Sequence, residues 1–239
     1  MMHKNKNKKN NIINLSSKDL FLSIDYSKKI NLDKFIDINS EYNFLDKKNN
    51  DLLKIKIEGD TIPDKFLKID NVSENINHKL NFISIDFKQK FKKDYFKGRI
   101  SIIQKKENVI DFVFQLSVNW NDDIPKKTSL IFPFLQNLVN HKLFLKPGHI
   151  SDGKKTLKKS TWNFHEYPPA ILSNNSGKTA IGIEFYDQFP WQANYNLGMN
   201  EAISSDNFEN YEAEIQLNQH LSDVIVMRLY TSSKGRNDI

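Results

Sequence analysis

The sequence predicts an all-β chain, a large antiparallel β-sandwich with little helix, and three observations carry that prediction. Apolar residues recur with a period of two through most of the chain, while runs at helical spacing are scarce. Turn-forming residues interrupt these runs at intervals of about ten residues, the spacing of short antiparallel strands. One stretch, Asp111 to Trp120, sets Phe112, Phe114, Leu116, Val118 and Trp120 against mostly polar neighbours. One face of that strand must therefore enter a core.

The elements follow in order. Residues 1–13 are read as a disordered basic tail, because MMHKNKNKKNN has nothing to bury. A single sandwich domain is expected over 14–232, since no linker divides it, and 233–239 reads as a frayed end or the start of a linker. Leu20, Leu22 and Ile24 alternate in a first strand, and Ile30 to Ile36 suggests a second. Leu53, Ile55 and Ile57 face one way and Lys54 and Lys56 the other, before Glu58-Gly59-Asp60 turns the chain. Leu80 to Phe87 and Phe96 to Ile103 are expected as strands joined by a charged connection from Lys88 to Asp94. Asn121-Asp122-Asp123-Ile124-Pro125 reads as a turn, Ser129 to Phe134 as a strand, and Leu135 to Leu145 as either a short helix or irregular structure. Tyr211, Ala213, Ile215 and Leu217 alternate with polar residues, and Asp223 to Thr231 closes the domain with a strand rich in β-branched residues.

Composition narrows the function classes. The formal charge of +6 comes largely from the amino-terminal tail and from lysine pairs such as Lys47-Lys48, Lys92-Lys93 and Lys158-Lys159. Lysine dominates over arginine and the pairs fall in expected turns, with no recognisable reading module, so nucleic acid is not the expected partner. Cysteine is absent, which excludes disulfides and thiolate metal sites. His141 and His149 flank a Pro-Gly loop with no third ligand in view, so no metal or other cofactor is assigned. No apolar stretch reaches the length of a membrane span, and the amino terminus lacks the apolar core of a signal peptide; a cytoplasmic location is expected.

The stretch from Trp162 to Tyr195 carries most of the functional signal. Ala170 to Leu172 and Ala180 to Tyr186 flank Ser173-Asn174-Asn175-Ser176-Gly177-Lys178, which reads as a β-hairpin. Rings crowd its outer ends: Trp162, Phe164, His165 and Tyr167 on one side, Tyr186, Phe189, Trp191 and Tyr195 on the other. A hairpin is expected to gather them at one edge of a sheet. Aromatic faces beside carboxylates and amides suit a sugar, whose C–H faces stack and whose hydroxyls hydrogen-bond. The expected substrate-binding residues are Trp162, His165, Tyr167, Glu184, Asp187 and Trp191. The plainer reading is that these rings close the end of a β-core.

The order of features resembles a known family. NLSSKDLFLSIDYSKK, then DFVFQLSVNW, SLIFPFLQNL, LFLKPGHISDG and YPPAILSNNSGKTAIGIEFYD are together similar to the galactose mutarotase-like β-supersandwich. That resemblance implies contact with an oligo- or polysaccharide, as the non-catalytic amino-terminal domain of a glycoside hydrolase with a catalytic domain downstream. The alternatives are a stand-alone aldose 1-epimerase-like enzyme, or a structural module that docks on another domain. Sugar epimerases of this fold use a histidine acid and a glutamate base, and by resemblance His165 and Glu184 are the catalytic candidates, although the asparagine-histidine words of those enzymes are missing here. Glu166, Glu184 and Asp187 are the carboxylates available for hydrolysis, which needs an opposed pair. Asp122-Asp123 is not such a pair, because adjacent strand residues point apart.

Overall fold

The computed structural model describes residues 11–45, 51–63, 67–76, 81–121, 126–135, 141–145, 149–151, 160–162, 170–174, 180–187, 194–201, 208–216 and 223–232. Among them there are strands and turns and no helix. The strands are β1 (Ile12–Ser16), β2 (Leu20–Asp25), β3 (Asn31–Asp37), β4 (Tyr42–Asn43), β5 (Lys54–Ile57), β6 (Asp60–Thr61) and β7 (Leu67–Ile76). The long strands β8 (Asn81–Phe91), β9 (Asp94–Lys106) and β10 (Val109–Asn119) come next, followed by β11 (Thr128–Leu135), β12 (His141–Leu145), β13 (His149–Ser151) and β14 (Ser160–Trp162). The last five are β15 (Ala170–Asn174), β16 (Ala180–Asp187), β17 (Asn194–Glu201), β18 (Phe208–Gln216) and β19 (Asp223–Ser232).

They form three antiparallel sheets: β1-β2-β3-β4, the nine-stranded β13-β12-β15-β16-β19-β10-β9-β8-β7, and the six-stranded β14-β17-β18-β11-β5-β6. One hydrophobic core serves all three. It takes Leu22, Leu32 and Phe35 from the four-stranded sheet, Ile55 and Leu130 from the six-stranded one, and Ile85, Ile102, Phe112 and Met227 from the largest. Phe114 of β10 and Phe132 of β11 meet across the sandwich with ring centroids 4.7 Å apart. An isolated antiparallel bridge pairs Asn31 of β3 with Asp51, three residues before β5 begins. A covered inner face and a polar outer face on the large sheet are what the period-two pattern demands.

Several elements differ from the sequence reading, each for a local reason. Ile12 and Ile13, expected within the tail, open β1, because Ile13 and Leu15 reach the core on alternate positions. Lys88 to Asp94 is not a connection: β8 and β9 extend through it to a two-residue turn at Lys92-Lys93. The lysines mask the pattern, since Phe87 and Gln89 continue the buried face between outward-facing Lys88 and Lys90. His141–Leu145, where the sequence admits a short helix or irregular structure, is a strand paired with both β13 and β15. Strands β7 and β17, rich in Asn and Glu, carry too little apolar alternation to be read from sequence. The turn Asn121 to Pro125 lies outside the described residues beyond Asn121.

Two turns and one close approach fix the registers. Glu58 and Gly59 both have positive φ, 48° and 93°, in the two-residue turn between β5 and β6, where such angles match the strand twist. Lys92 has φ 55° in the β8–β9 turn. Gly98 sits opposite Phe87, whose ring lies over the glycine where a Cβ would stand.

Candidate functional site

The expected hairpin is present: β15 and β16 pair antiparallel, from Ala170 opposite Ile183 to Ser173 opposite Ala180. Its surroundings differ from expectation. Strands β15 and β16 lie within the nine-stranded sheet, bordered by β12 and β19, whereas Trp162 and Tyr195 belong to β14 and β17 of the six-stranded sheet. Of the expected rings, Trp162 and Tyr195 thus stand on a different sheet from Glu184, while Tyr186 shares its strand. The chain changes sheet on either side of the hairpin, a topology that local pattern does not encode. Trp162 and Tyr195 are still brought together, as direct partners at the edge strand β14. His165, Tyr167 and Trp191 lie outside the described residues, as do Phe164, Glu166 and Phe189.

Glu184 and Asp187 take their places on β16 opposite Arg228 and Ile225 of β19. Arg228 is itself opposite Asp111 of β10. Asp111, Arg228 and Glu184 thus occupy one row across three neighbouring strands, a guanidinium position with a carboxyl-bearing residue on either side. Sequence reading missed the first two. Their signal was a single charge in each of two otherwise apolar stretches, DFVFQL and VIVMRL.

The Asp111–Arg228 pair is a fork. Nε donates to Oδ1 at 2.5 Å and Nη2 to Oδ2 at 2.8 Å, with the Asp111 side chain 4% exposed and that of Arg228 30% exposed. Lys105 Nζ lies 3.9 Å from the same carboxylate. The hydrogen bonds to Asp111 push the Arg228 pKa further up, against the opposing effect of burial. The guanidinium is therefore a permanent cation, and Asp111 is occupied in holding it. A second fork stands on the same sheet: Arg99 Nε donates to Asp86 Oδ1 at 2.6 Å and Nη2 to Oδ2 at 3.2 Å, between β9 and β8. The sequence contains only three arginines. Both that fall among the described residues are used where planar, two-point recognition of a carboxylate is required.

A cavity between the sheets, lined among others by Lys29, Asp51, Leu67, Phe87 and Gln89, has a volume of about 10 Å³. That is room for one water and not for a sugar ring, and its lining comes from the other half of the molecule. Among the described residues no group of three His, Asp or Glu side chains is placed to hold a metal ion.

No protein-family model and no curated protein matches the sequence. Solved structures do match in shape. A putative aldose 1-epimerase from Escherichia coli K12 aligns over 93% of this chain and 99% of its own, with TM-score 0.58 at 10% identity. A galactose mutarotase-like protein from Lactobacillus casei aligns over 92% and 99%, with TM-score 0.59 at 9% identity. An α-galactosidase from Lactobacillus brevis covers 98% of this chain with TM-score 0.57 and 9% identity, while this chain spans only 41% of that enzyme. The fold, expected from the order of strands and short sequence words, is accordingly the galactose mutarotase-like β-sandwich.

Proposed function

We propose that this chain is a carbohydrate-contacting domain, acting as a non-catalytic module of a larger sugar-processing enzyme. The observation that carries the proposal is the row Asp111–Arg228–Glu184. A guanidinium position next to a carboxyl-bearing one sets side by side the residue types that donate to and accept from vicinal hydroxyls. Both oxygens of Asp111 are engaged by Arg228 and its side chain is nearly buried, so the proposal assigns the acceptor role in this row to Glu184. Trp162 and Tyr195, paired on β14 and β17, are the ring-bearing positions the proposal assigns to stacking. The fold supports the reading because it is shared with proteins named as sugar-converting and sugar-cleaving enzymes.

A second reading is an aldose 1-epimerase-like enzyme, favoured by the likeness in shape to the putative aldose 1-epimerase along 93% of this chain. In that case Glu184 is the base and His165 the acid. Polarimetry of freshly dissolved hexoses separates the two. A module leaves the rate of anomer interconversion at its buffer value and retains oligosaccharide in a binding assay. An epimerase accelerates interconversion and loses that acceleration in Glu184→Gln.

A further inference from the structure

The outer face of β7, β8 and β9 carries lysines in direct opposition. Lys68 of β7 faces Lys88 of β8, and Lys88 faces Lys97 of β9, a three-lysine rung across neighbouring strands. Lys90, opposite Tyr95, adds a fourth cation one rung nearer the Lys92-Lys93 turn. Strands are about 4.8 Å apart, so these ammonium groups repel one another, and like charges directly opposite destabilise a sheet. Of the four, Lys88 is relieved by Asp70, whose Oδ2 lies 2.5 Å from Nζ. Lys68, Lys90 and Lys97 are exposed and make no ion pair among the described residues. Lys97 lies 5.9 Å from the Tyr95 ring centroid, which steadies its direction without neutralising it.

Folding gains nothing from such a rung. Lysines on edge strands do deter edge-to-edge pairing, and β7 is an edge, which accounts for Lys68. It does not account for Lys88 and Lys97, which lie on strands paired on both sides. The neighbouring rungs of the same face are Asn71, Asp86, Arg99 and Gln115, then Ser73, Ser84, Ser101 and Val113. That surface consists mainly of short polar groups, with the one Arg–Asp fork locked in place, and it offers hydroxyl and amide partners beside the cations.

We propose that this face binds a linear anionic polysaccharide, its carboxylate or sulfate groups crossing the strands over Lys68, Lys88 and Lys97 and its hydroxyls meeting the Asn, Gln and Ser rungs. The choice of a glycan over a nucleic acid rests on the carbohydrate reading above and on the face itself. The Tyr95 ring, half-buried, is the one aromatic among the described residues of the two cationic rungs, and a single-stranded nucleic acid requires a platform of several on which to stack.

The test is binding of polygalacturonate to the whole chain, to Lys68→Gln/Lys97→Gln, and to Lys158→Gln/Lys159→Gln as a charge-matched control. Neutral galactan and a thymidine oligonucleotide serve as comparison ligands. The rung variant is expected to bind polygalacturonate at least about tenfold more weakly and to show a shallower salt dependence, with the control unchanged. The rung variant is also expected to unfold at a higher urea concentration than the parent, since repulsion has been removed, so misfolding is not the explanation of any loss. No binding of polygalacturonate, equal loss in the control, or equal or tighter binding of the oligonucleotide overturns the proposal. Retention of neutral galactan by the rung variant reports separately on the function proposed above.

Discussion

Asp111 and Arg228 lie directly opposite on β10 and β19, joined by two hydrogen bonds of 2.5 and 2.8 Å on the outer face of the nine-stranded sheet. The arrangement is asymmetric, because the carboxylate is nearly sealed from water while the guanidinium keeps a third of its surface exposed. Removing the two partners therefore has unequal consequences. Arg228→Met leaves a buried carboxylate whose remaining cation among the described residues is Lys105, 3.9 Å away, and a loss of about 3 kcal/mol of stability is expected. Asp111→Asn leaves an arginine that reaches solvent, and about 1–2 kcal/mol is expected. Urea midpoints of the two variants measure the difference, and the reverse ranking contradicts the burial described here.

Two glycines test two separate constraints. Gly59 has φ 93° with open space where a Cβ would stand, so Gly59→Ala carries backbone strain alone, expected at about 1–2 kcal/mol. Gly98 has an ordinary φ but lies beneath the Phe87 ring, so Gly98→Ala costs about 1–3 kcal/mol through overpacking. Shrinking the ring separates them. Phe87→Leu is expected to relieve Gly98→Ala in a double-mutant cycle and to leave Gly59→Ala unaffected.

The Asp86–Arg99 fork predicts an acid limb in stability. The hydrogen bond from Arg99 holds the Asp86 carboxyl below its ordinary value of 3.8 in the folded chain. Because the folded value is the lower one, the stabilisation is complete above the unfolded value and is lost as pH falls towards the folded one. Urea midpoints measured from about pH 5 down to about pH 3 are expected to fall less steeply in Arg99→Gln than in the parent chain. Parallel slopes contradict the assignment.

Strand alternation was legible where apolar side chains mark every second position, as in Phe112, Phe114 and Leu116 or Ile225, Met227 and Leu229. It was not legible in β7, where Asn71, Ser73 and Asn75 expose an edge strand. Nor was it legible in Lys88 to Phe91, where charge on the outer face hides a buried inner one. At the candidate site the hairpin from Ala170 to Asp187 could be read because its turn is local. The neighbours of Glu184 could not, because Arg228 and Asp111 reach it through pairings between strands far apart in the chain. Sheet membership is likewise a long-range property, which is why Trp162 and Glu184, close in sequence, lie on different sheets.

Glycan binding by the parent chain compared with Glu184→Gln and Trp162→Ala addresses the carbohydrate assignment most directly. On an array of immobilised neutral oligosaccharides the parent chain is expected to be retained, and each variant to bind at least about tenfold more weakly, a change of about 1.4 kcal/mol, with an unchanged urea midpoint. Failure of the parent chain to bind any glycan, or equal binding by both variants, contradicts the assignment and leaves only the fold.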